Sequence, residues 1–264
     1  MKPLVMKRLR RLSALALVSA AVAVSFPAAA QWQRFAPAAE LVQGKALQDK
    51  GLKLDLPSLS ENGGAVPLGL VFDGVLDEGD ALDAIHILAT ANPRPEIIAF
   101  RFLDESVVPD LSTRIRLSES QSVIAIAVSR SGKAWVVEQP VRVTVSGCLM
   151  PGEEQSEARM RNPRVAVSPR IAASRPVEIK SMIQHPMETG QREGADGATV
   201  PQNLIRSLEV SLAERPVLQT RFHSGTASNP YVRLNVRPGG AGAVRLVWTD
   251  QDGRQLSEER PFPA

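Results

Sequence analysis

The chain has 264 residues, 31 basic and 28 acidic, with one cysteine and only 4% aromatics. A lone cysteine excludes an intramolecular disulfide scaffold, so the fold must be held by a core built mainly of Val, Leu, Ile and Ala. The net charge of +3 resides in the first thirty residues; without their five basic side chains 26 basic residues face 28 acidic ones, which removes support for nucleic-acid binding.

Residues 1–30 read as an export signal. Lys2, Lys7, Arg8, Arg10 and Arg11 form a basic head, and Ala14 to Phe26 is an apolar core too short to span a bilayer. Ala28-Ala29-Ala30 supplies a small-residue cleavage site, so the mature chain is expected to start at Gln31 in the periplasm. Arg10-Arg11 hints at the twin-arginine route, but its neighbours match that motif poorly and the general secretory route stays open. No later apolar run reaches about 18 residues, so no membrane span is expected.

Residues 31–50 read as an N-terminal extension that frays or packs on the surface. Short apolar runs then alternate with turn residues. Leu52, Leu54 and Leu56 alternate, Val66 to Phe72 follows Glu61-Asn62-Gly63-Gly64, and Ile97 to Phe102 follows Asn92-Pro93-Arg94-Pro95. Ile115 and Leu117 alternate with Arg114 and Arg116; next come Val123 to Val128, Ala134 to Val137 and Val141 to Val145. Asp80 to Ala91 fits an amphipathic helix or a strand through Ile85-His86-Ile87-Leu88, and periodicity does not decide. The charged segment Leu149 to Asn162 lacks β-branched residues and reads as a linker. Beyond it runs a second series: Arg164 to Val167, Val177 to Ile183, Leu204 to Leu212, Val217 to Phe222, Tyr231 to Val236 and Val244 to Trp248, with a hairpin turn at Asp252-Gly253. The pattern predicts an all-β protein of two sandwich domains joined by a polar linker.

Cys148 closes the first series. A single thiol on an exported chain is inert and buried, paired with another chain, or reactive. Ser146 and Gly147 give the backbone freedom before the sulfur, and Leu149-Met150-Pro151-Gly152 cannot continue a buried strand, so the reading is a reactive thiol on a flexible arm. No basic residue lies nearer in sequence than Arg142, so activation is expected to come from a partner.

Other chemistry is thinner. His86, His185 and His223 show no metal-site spacing; His86 reads as a core or inter-sheet histidine and His185, before Pro186, as a loop organiser. Asp77-Glu78 and Glu153-Glu154 are turn or linker charges. There is no Gly-x-Ser-x-Gly elbow, and Gly239-Gly240-Ala241-Gly242 reads as a loop between strands rather than a phosphate cradle. Arg114 and Arg116 are expected to share one strand face, either solvated or guiding an anion or acidic partner. No cofactor or metal site is expected.

Several strings carry a family resemblance. Gly51-Leu52-Lys53-Leu54-Asp55-Leu56-Pro57, Glu61-Asn62-Gly63-Gly64-Ala65-Val66-Pro67-Leu68, Ile85-His86-Ile87 and Ser112 to Leu117 with the Gly147-Cys148 ending resemble the Y subunit of the bacterial sulfur-oxidising (Sox) carrier. His185-Pro186-Met187-Glu188-Thr189-Gly190, Ser228-Asn229-Pro230-Tyr231 and Trp248-Thr249-Asp250 resemble its Z subunit. The resemblance implies a Y–Z fusion. Its domains would be a Y-like immunoglobulin-like sandwich over 51–148, a linker at 149–162 and a Z-like sandwich over 163–264.

It further implies a carrier without catalysis of its own, holding thiosulfate-derived sulfur adducts on Cys148. A c-type cytochrome would load it, a thiosulfohydrolase would release sulfate and a sulfane dehydrogenase would oxidise the remaining sulfur. It also favours the strand for Asp80 to Ala91. The family's arm is glycine-rich and ends close to the cysteine; here Ser146 and Leu149 flank Gly147-Cys148 and the chain continues, so the arm is tethered at both ends. Two alternatives stay open: a related carrier serving a quinoprotein dehydrogenase with another cargo, and a non-catalytic binding or assembly protein.

Overall fold

The computed structural model describes residues 31–147, 159–169, 175–194, 196–240 and 242–263. The export signal, Cys148 and residues 149–158 of the linker lie outside them. A 3-10 turn (Gln31–Arg34) leads into helix α1 (Ala36–Val42). The first half continues as β1 (Ala46–Gln48), β2 (Leu52–Asp55), β3 (Leu59–Ser60), β4 (Val66–Phe72), β5 (Leu82–Ala89), β6 (Glu96–Phe102), β7 (Val107–Ile115), β8 (Gln121–Ser129) and β9 (Lys133–Val143). The second half contributes β10 (Arg161–Val167), β11 (Val177–Gln184), β12 (Ile205–Leu212), β13 (Arg215–Phe222), β14 (Tyr231–Val236), β15 (Gly242–Asp250) and β16 (Gln255–Phe262).

The chain is all-β, with two immunoglobulin-like sandwich halves whose sheets run into each other. One sheet has the order β1-β9-β8-β5-β6-β13-β12-β15-β16, with β3 also on β9; the other runs β10-β11-β14-β7-β4-β2. Each sheet crosses the junction by an antiparallel pair: β6 with β13, where Phe102 faces Leu218, and β7 with β14, where Thr113 faces Val232. Strand edges that would template foreign pairing are thereby closed on each other. The apolar core passes through without a break, from Ile98, Phe100 and Leu111 to Leu218, Phe222 and Trp248.

The segment 82–89 is a strand, as the resemblance implies, and is buried on both faces. Ile85 and Ile87 enter the main core; Ala84 and Leu88 point outward, where Ala38 and Val42 of α1 cover them together with Ile124 and Ile126 of β8. The extension 31–50 therefore packs, as a helical cover and then as β1 parallel to β9. The run Ala134 to Val137 and the start of the run Val141 to Val145 form one strand, β9, which ends at Val143. Pro140 is tolerated because the outer side of β9 has no strand between its pairings to β1 and β3. β10 begins at Arg161, which pairs with Gln184. The unanticipated β16 is an edge strand of alternating exposure bearing Glu258, Glu259 and Arg260, the composition that protects an edge.

Candidate functional site: the base of the cysteine arm

The chain leading to Cys148 is gripped from two sides. Beside it, β3 pairs in parallel with the end of β9, and Arg142 and Thr144 donate to Ser58 and Ser60 carbonyls at 3.0 and 3.1 Å. Gly63 N–H then donates to the Val145 carbonyl at 2.9 Å. On the other side Val143 N–H donates to Ser120 Oγ at 3.0 Å, and Gly147 N–H to the Leu117 carbonyl at 2.9 Å. Leu117 N–H in turn donates to the Gly63 carbonyl at 2.8 Å.

Gly147 and Gly63 thus lie back to back around Leu117. A Cβ on Gly147 would come within 2.2 Å of the Gly63 carbonyl oxygen, and one on Gly63 within 2.5 Å of the Leu117 oxygen. Neither position has space for a side chain, and the obstructing atoms are backbone. At Gly147 the backbone is anchored rather than open. Gly147 is buried and hydrogen-bonded, and glycine serves close approach rather than freedom. The fixed base reaches as far as the residue before Cys148, which itself lies outside the described residues.

The loop that accepts Gly147 is itself anchored. Asn92 Nδ2 donates to the Arg116 carbonyl at 2.9 Å, while Asn92 Oδ1 accepts from Ser118 N–H and Gln121 Nε2. Gln121 Oε1 accepts from Ala91 N–H at 2.7 Å. Sequence reading did not assign Asn92 and Gln121 to this anchor; the Asn92-Pro93 string was their only signal.

From Arg116 the support crosses into the second half. Arg116 N–H donates to the Gly225 carbonyl at 2.6 Å, and its guanidinium donates to the Met187 carbonyl at 2.8 Å and Ser228 Oγ at 3.1 Å. The sequence places Arg114 and Arg116 on one face; the structure separates them. β7 ends at Ile115, so the alternation stops: Arg114 is exposed and Arg116 is 8% exposed between the halves. Replacing Arg116 by Met would leave the Met187 carbonyl without that donor. Urea unfolding is expected to show a loss of about 2–4 kcal/mol.

The His185–Gly190 string supplies both turn chemistry and contact between the halves. Met187 and Asn229 adopt left-handed backbone, with φ of 51° and 53°. His185 and Asn229 exchange hydrogen bonds: His185 N–H to Asn229 Oδ1 at 3.0 Å, and Asn229 N–H to the His185 carbonyl at 2.8 Å. The ring of His185, 3% exposed, accepts Met187 N–H at Nδ1, 3.1 Å away. Burial pushes its pKa down to about 4, against opposing interactions with Asn203 and Asp250. It is a neutral loop organiser. Glu188 beside it pairs with Arg192 at 2.9 Å.

His86 lies half-buried on the outer face of β5, and burial lowers its pKa too. His223 Nδ1 sits 3.5 Å from Glu96 Oε2, with burial again lowering its pKa. Asp77 pairs with Lys133 at 2.7 Å; Glu153-Glu154 lies outside the described residues. Among the described residues no group of three His, Cys, Asp or Glu side chains could hold a metal ion, and no helix is long and apolar enough to cross a membrane.

These elements define a class: an all-β double sandwich in which one half ends in an anchored segment at Gly147 and the other buttresses that segment's base. Family comparison matches residues 38–148 to the sulfur oxidation protein SoxY and residues 167–261 to the sulphur oxidation protein SoxZ. The chain belongs to these sulfur-oxidation families, as a SoxY–SoxZ fusion. No curated protein matches it. Among solved structures, the superoxide reductase (neelaredoxin) of Ignicoccus hospitalis is similar at 14% identity and TM-score 0.32, over 36% of this chain and 80% of that one. A Thermotoga maritima protein described as a candidate superoxide reductase is similar at 13% identity and TM-score 0.32, over 39% and 89%. Likeness this slight carries no argument.

Proposed function

We propose that this protein is a periplasmic carrier that holds sulfur intermediates of thiosulfate oxidation covalently on Cys148 and presents them to partner enzymes. The observation that carries the reading is the coincidence of a SoxY–SoxZ pairing with a single cysteine directly after an anchored Gly147. In this reading residues 51–148 are the Y-type unit, 163–264 the Z-type unit and 149–162 their connection. Linkage over so short a span sets an effective concentration on the order of millimolar, so the halves stay paired. Residues 1–30 export both.

Loading forms a bond between Cys148 Sγ and the sulfane sulfur of thiosulfate. The thiol proton goes to solvent and two electrons leave to a c-type cytochrome. Water then releases the sulfonate as sulfate through a thiosulfohydrolase, leaving a persulfide whose outer sulfur a sulfane dehydrogenase oxidises. The chain itself supplies position: a cysteine that follows a fixed point can be aimed, and catalytic geometry rewards placement within fractions of an ångström. The thiol requires access and a thiolate fraction, both met when a partner receives the loop.

Intact mass of the protein from the periplasm of cells grown on thiosulfate, before and after reduction, tests the reading against Cys148→Ser. A reducible sulfur adduct on the wild type alone is expected. A bare thiol, with thiosulfate oxidation undisturbed in the variant, would refute the carrier role.

A further inference from the structure

The outer face of the six-stranded sheet carries a row of side chains that nothing above uses. Register sets Arg164 of β10 opposite Met182 of β11, Met182 opposite Tyr231 of β14, and Arg114 of β7 opposite Pro67 of β4. Arg114 joins the row to Tyr231, its guanidinium carbon lying 5.2 Å from the ring centroid. Directly paired residues project from the same side of a sheet. Here Met182 and Tyr231 are half-buried while Arg114 and Arg164 are exposed. The row is an apolar centre with an arginine at each end, the two strand positions about 14 Å apart across three strand spacings.

One carboxylate, Asp55, lines the hollow beside Arg114, and the two arginines of the row outnumber it. Lys180 pairs with Glu178, Arg233 with Asp110 and Arg260 with Glu258. Arg114 and Arg164 make no ion pair among the described residues. Hollows of about 400 and 580 Å³ flank Tyr231 on its two sides. The two arginines are set on either side of an apolar Met182–Tyr231 floor, for which a small anion has no use. A protein surface with an apolar knob and acidic flanks satisfies both, since Tyr, Met and Arg are the residues enriched where proteins meet.

Position points the same way. Arg114 lies three residues before Leu117, whose carbonyl holds Gly147. Arg114 belongs to the first half and Tyr231 to the second, so the row is complete only when the halves are paired across β7 and β14.

Resting on the carrier reading, we propose that the Arg164–Met182–Tyr231–Arg114 row is the docking face for an acidic, apolar-centred surface on the enzyme that loads the arm. Complementary charge acts chiefly on the rate of encounter, so the face governs how fast Cys148 is processed rather than its intrinsic reactivity. It also gives the second half a task besides buttressing: supplying half of the recognition surface.

The test uses the full-length protein, thiosulfate and periplasmic extract from cells lacking their own carrier, reading the sulfur adduct on Cys148 by intact mass. Arg114→Glu/Arg164→Glu is expected to load about tenfold more slowly than wild type at low salt, with the gap narrowing at high salt. Arg164→Glu alone, which disturbs no ion pair or ring contact, is expected to lose about threefold. Iodoacetamide labelling of Cys148 and the thermal midpoint should match wild type, and Arg221→Glu/Arg245→Glu on the other sheet should load normally. Wild type and both row variants loading at the same rate would overturn the docking face and leave the carrier reading standing. A wild type that never acquires an adduct would overturn both. Binding to phosphatidylcholine vesicles with about one-third phosphatidylglycerol, lost in the double variant while loading persists, would assign the face to a lipid surface and overturn the proposal.

Discussion

Gly147→Ala is expected to detach the base of the arm. The new Cβ would sit 2.2 Å from the Gly63 carbonyl oxygen and 2.4 Å from its carbon, so one strand must move. Moving it breaks the bonds that tie the segment down: Gly147 N–H to Leu117, Gly63 N–H to Val145, and Leu117 N–H to Gly63. At about 1 kcal/mol net for each, the segment loses about 2–3 kcal/mol of local stability. Hydrogen exchange at Gly147 and Leu117 should accelerate by about 100-fold, whereas the central strands β5 and β8 should exchange as in wild type. Gly63→Ala meets the Leu117 oxygen at 2.5 Å and should reproduce the phenotype from the opposite side. Gly239→Ala, with nothing within 4 Å and no left-handed φ, should be silent. If Gly147 exchanges at the wild-type rate in both variants, the back-to-back glycines do not hold the arm. If the arm loosens while sulfur loading persists at the wild-type rate, placement of Cys148 contributes nothing to turnover.

How much of this was legible in the sequence depends on how local each feature is. Strands with one face in the core, such as Val66–Phe72 and Tyr231–Val236, announce themselves by alternation, and the structure gives them those bounds. Residues 82–89 did not, because α1 covers the outer face and leaves both sides of the strand apolar; period two vanishes when both faces are dry. The close approach at Gly147 was hidden for a related reason. Its neighbours in sequence suggest freedom, while its neighbour in space is Gly63, and a single sequence does not display that approach. Arg116 follows the same logic: its spacing from Arg114 is that of a strand, but β7 stops at Ile115 and the next half of the molecule claims the guanidinium. The cysteine, the hairpin turns and the division into two β series are local in sequence and were readable; the weld between the halves is not.

Acidification should destabilise the molecule earlier than its carboxylates would demand, and His185 is the reason. Folded, its pKa is about 4 because the ring is buried with Nδ1 committed to Met187 N–H; unfolded, it returns to about 6.5. Between those values the unfolded chain binds the proton that the folded chain refuses. Stability is therefore complete above the unfolded pKa and falls as pH drops from about 6.5 to about 4, by up to about 3 kcal/mol. Burial lowers His86 and His223 in the same direction, which steepens the loss. Asp80, held at about 2 by Ser131, Ser129 and Ala81 despite the opposing effect of burial, acts only in a lower window.

His185→Asn keeps an acceptor beside Met187 N–H and removes the titration. Urea midpoints at pH 7, 5.5 and 4.5 should decline less for the variant than for wild type, by a slope approaching one proton. Parallel declines would mean that the ring takes its proton in place, without opening the loop. The consequence reaches the arm, because the His185–Met187 loop supplies the carbonyl that holds Arg116, and Leu117 beside it holds Gly147. In the proposed role this matters, because oxidising thiosulfate to sulfate releases protons. Loosening of this loop would relax the arm's base from the far side of the molecule.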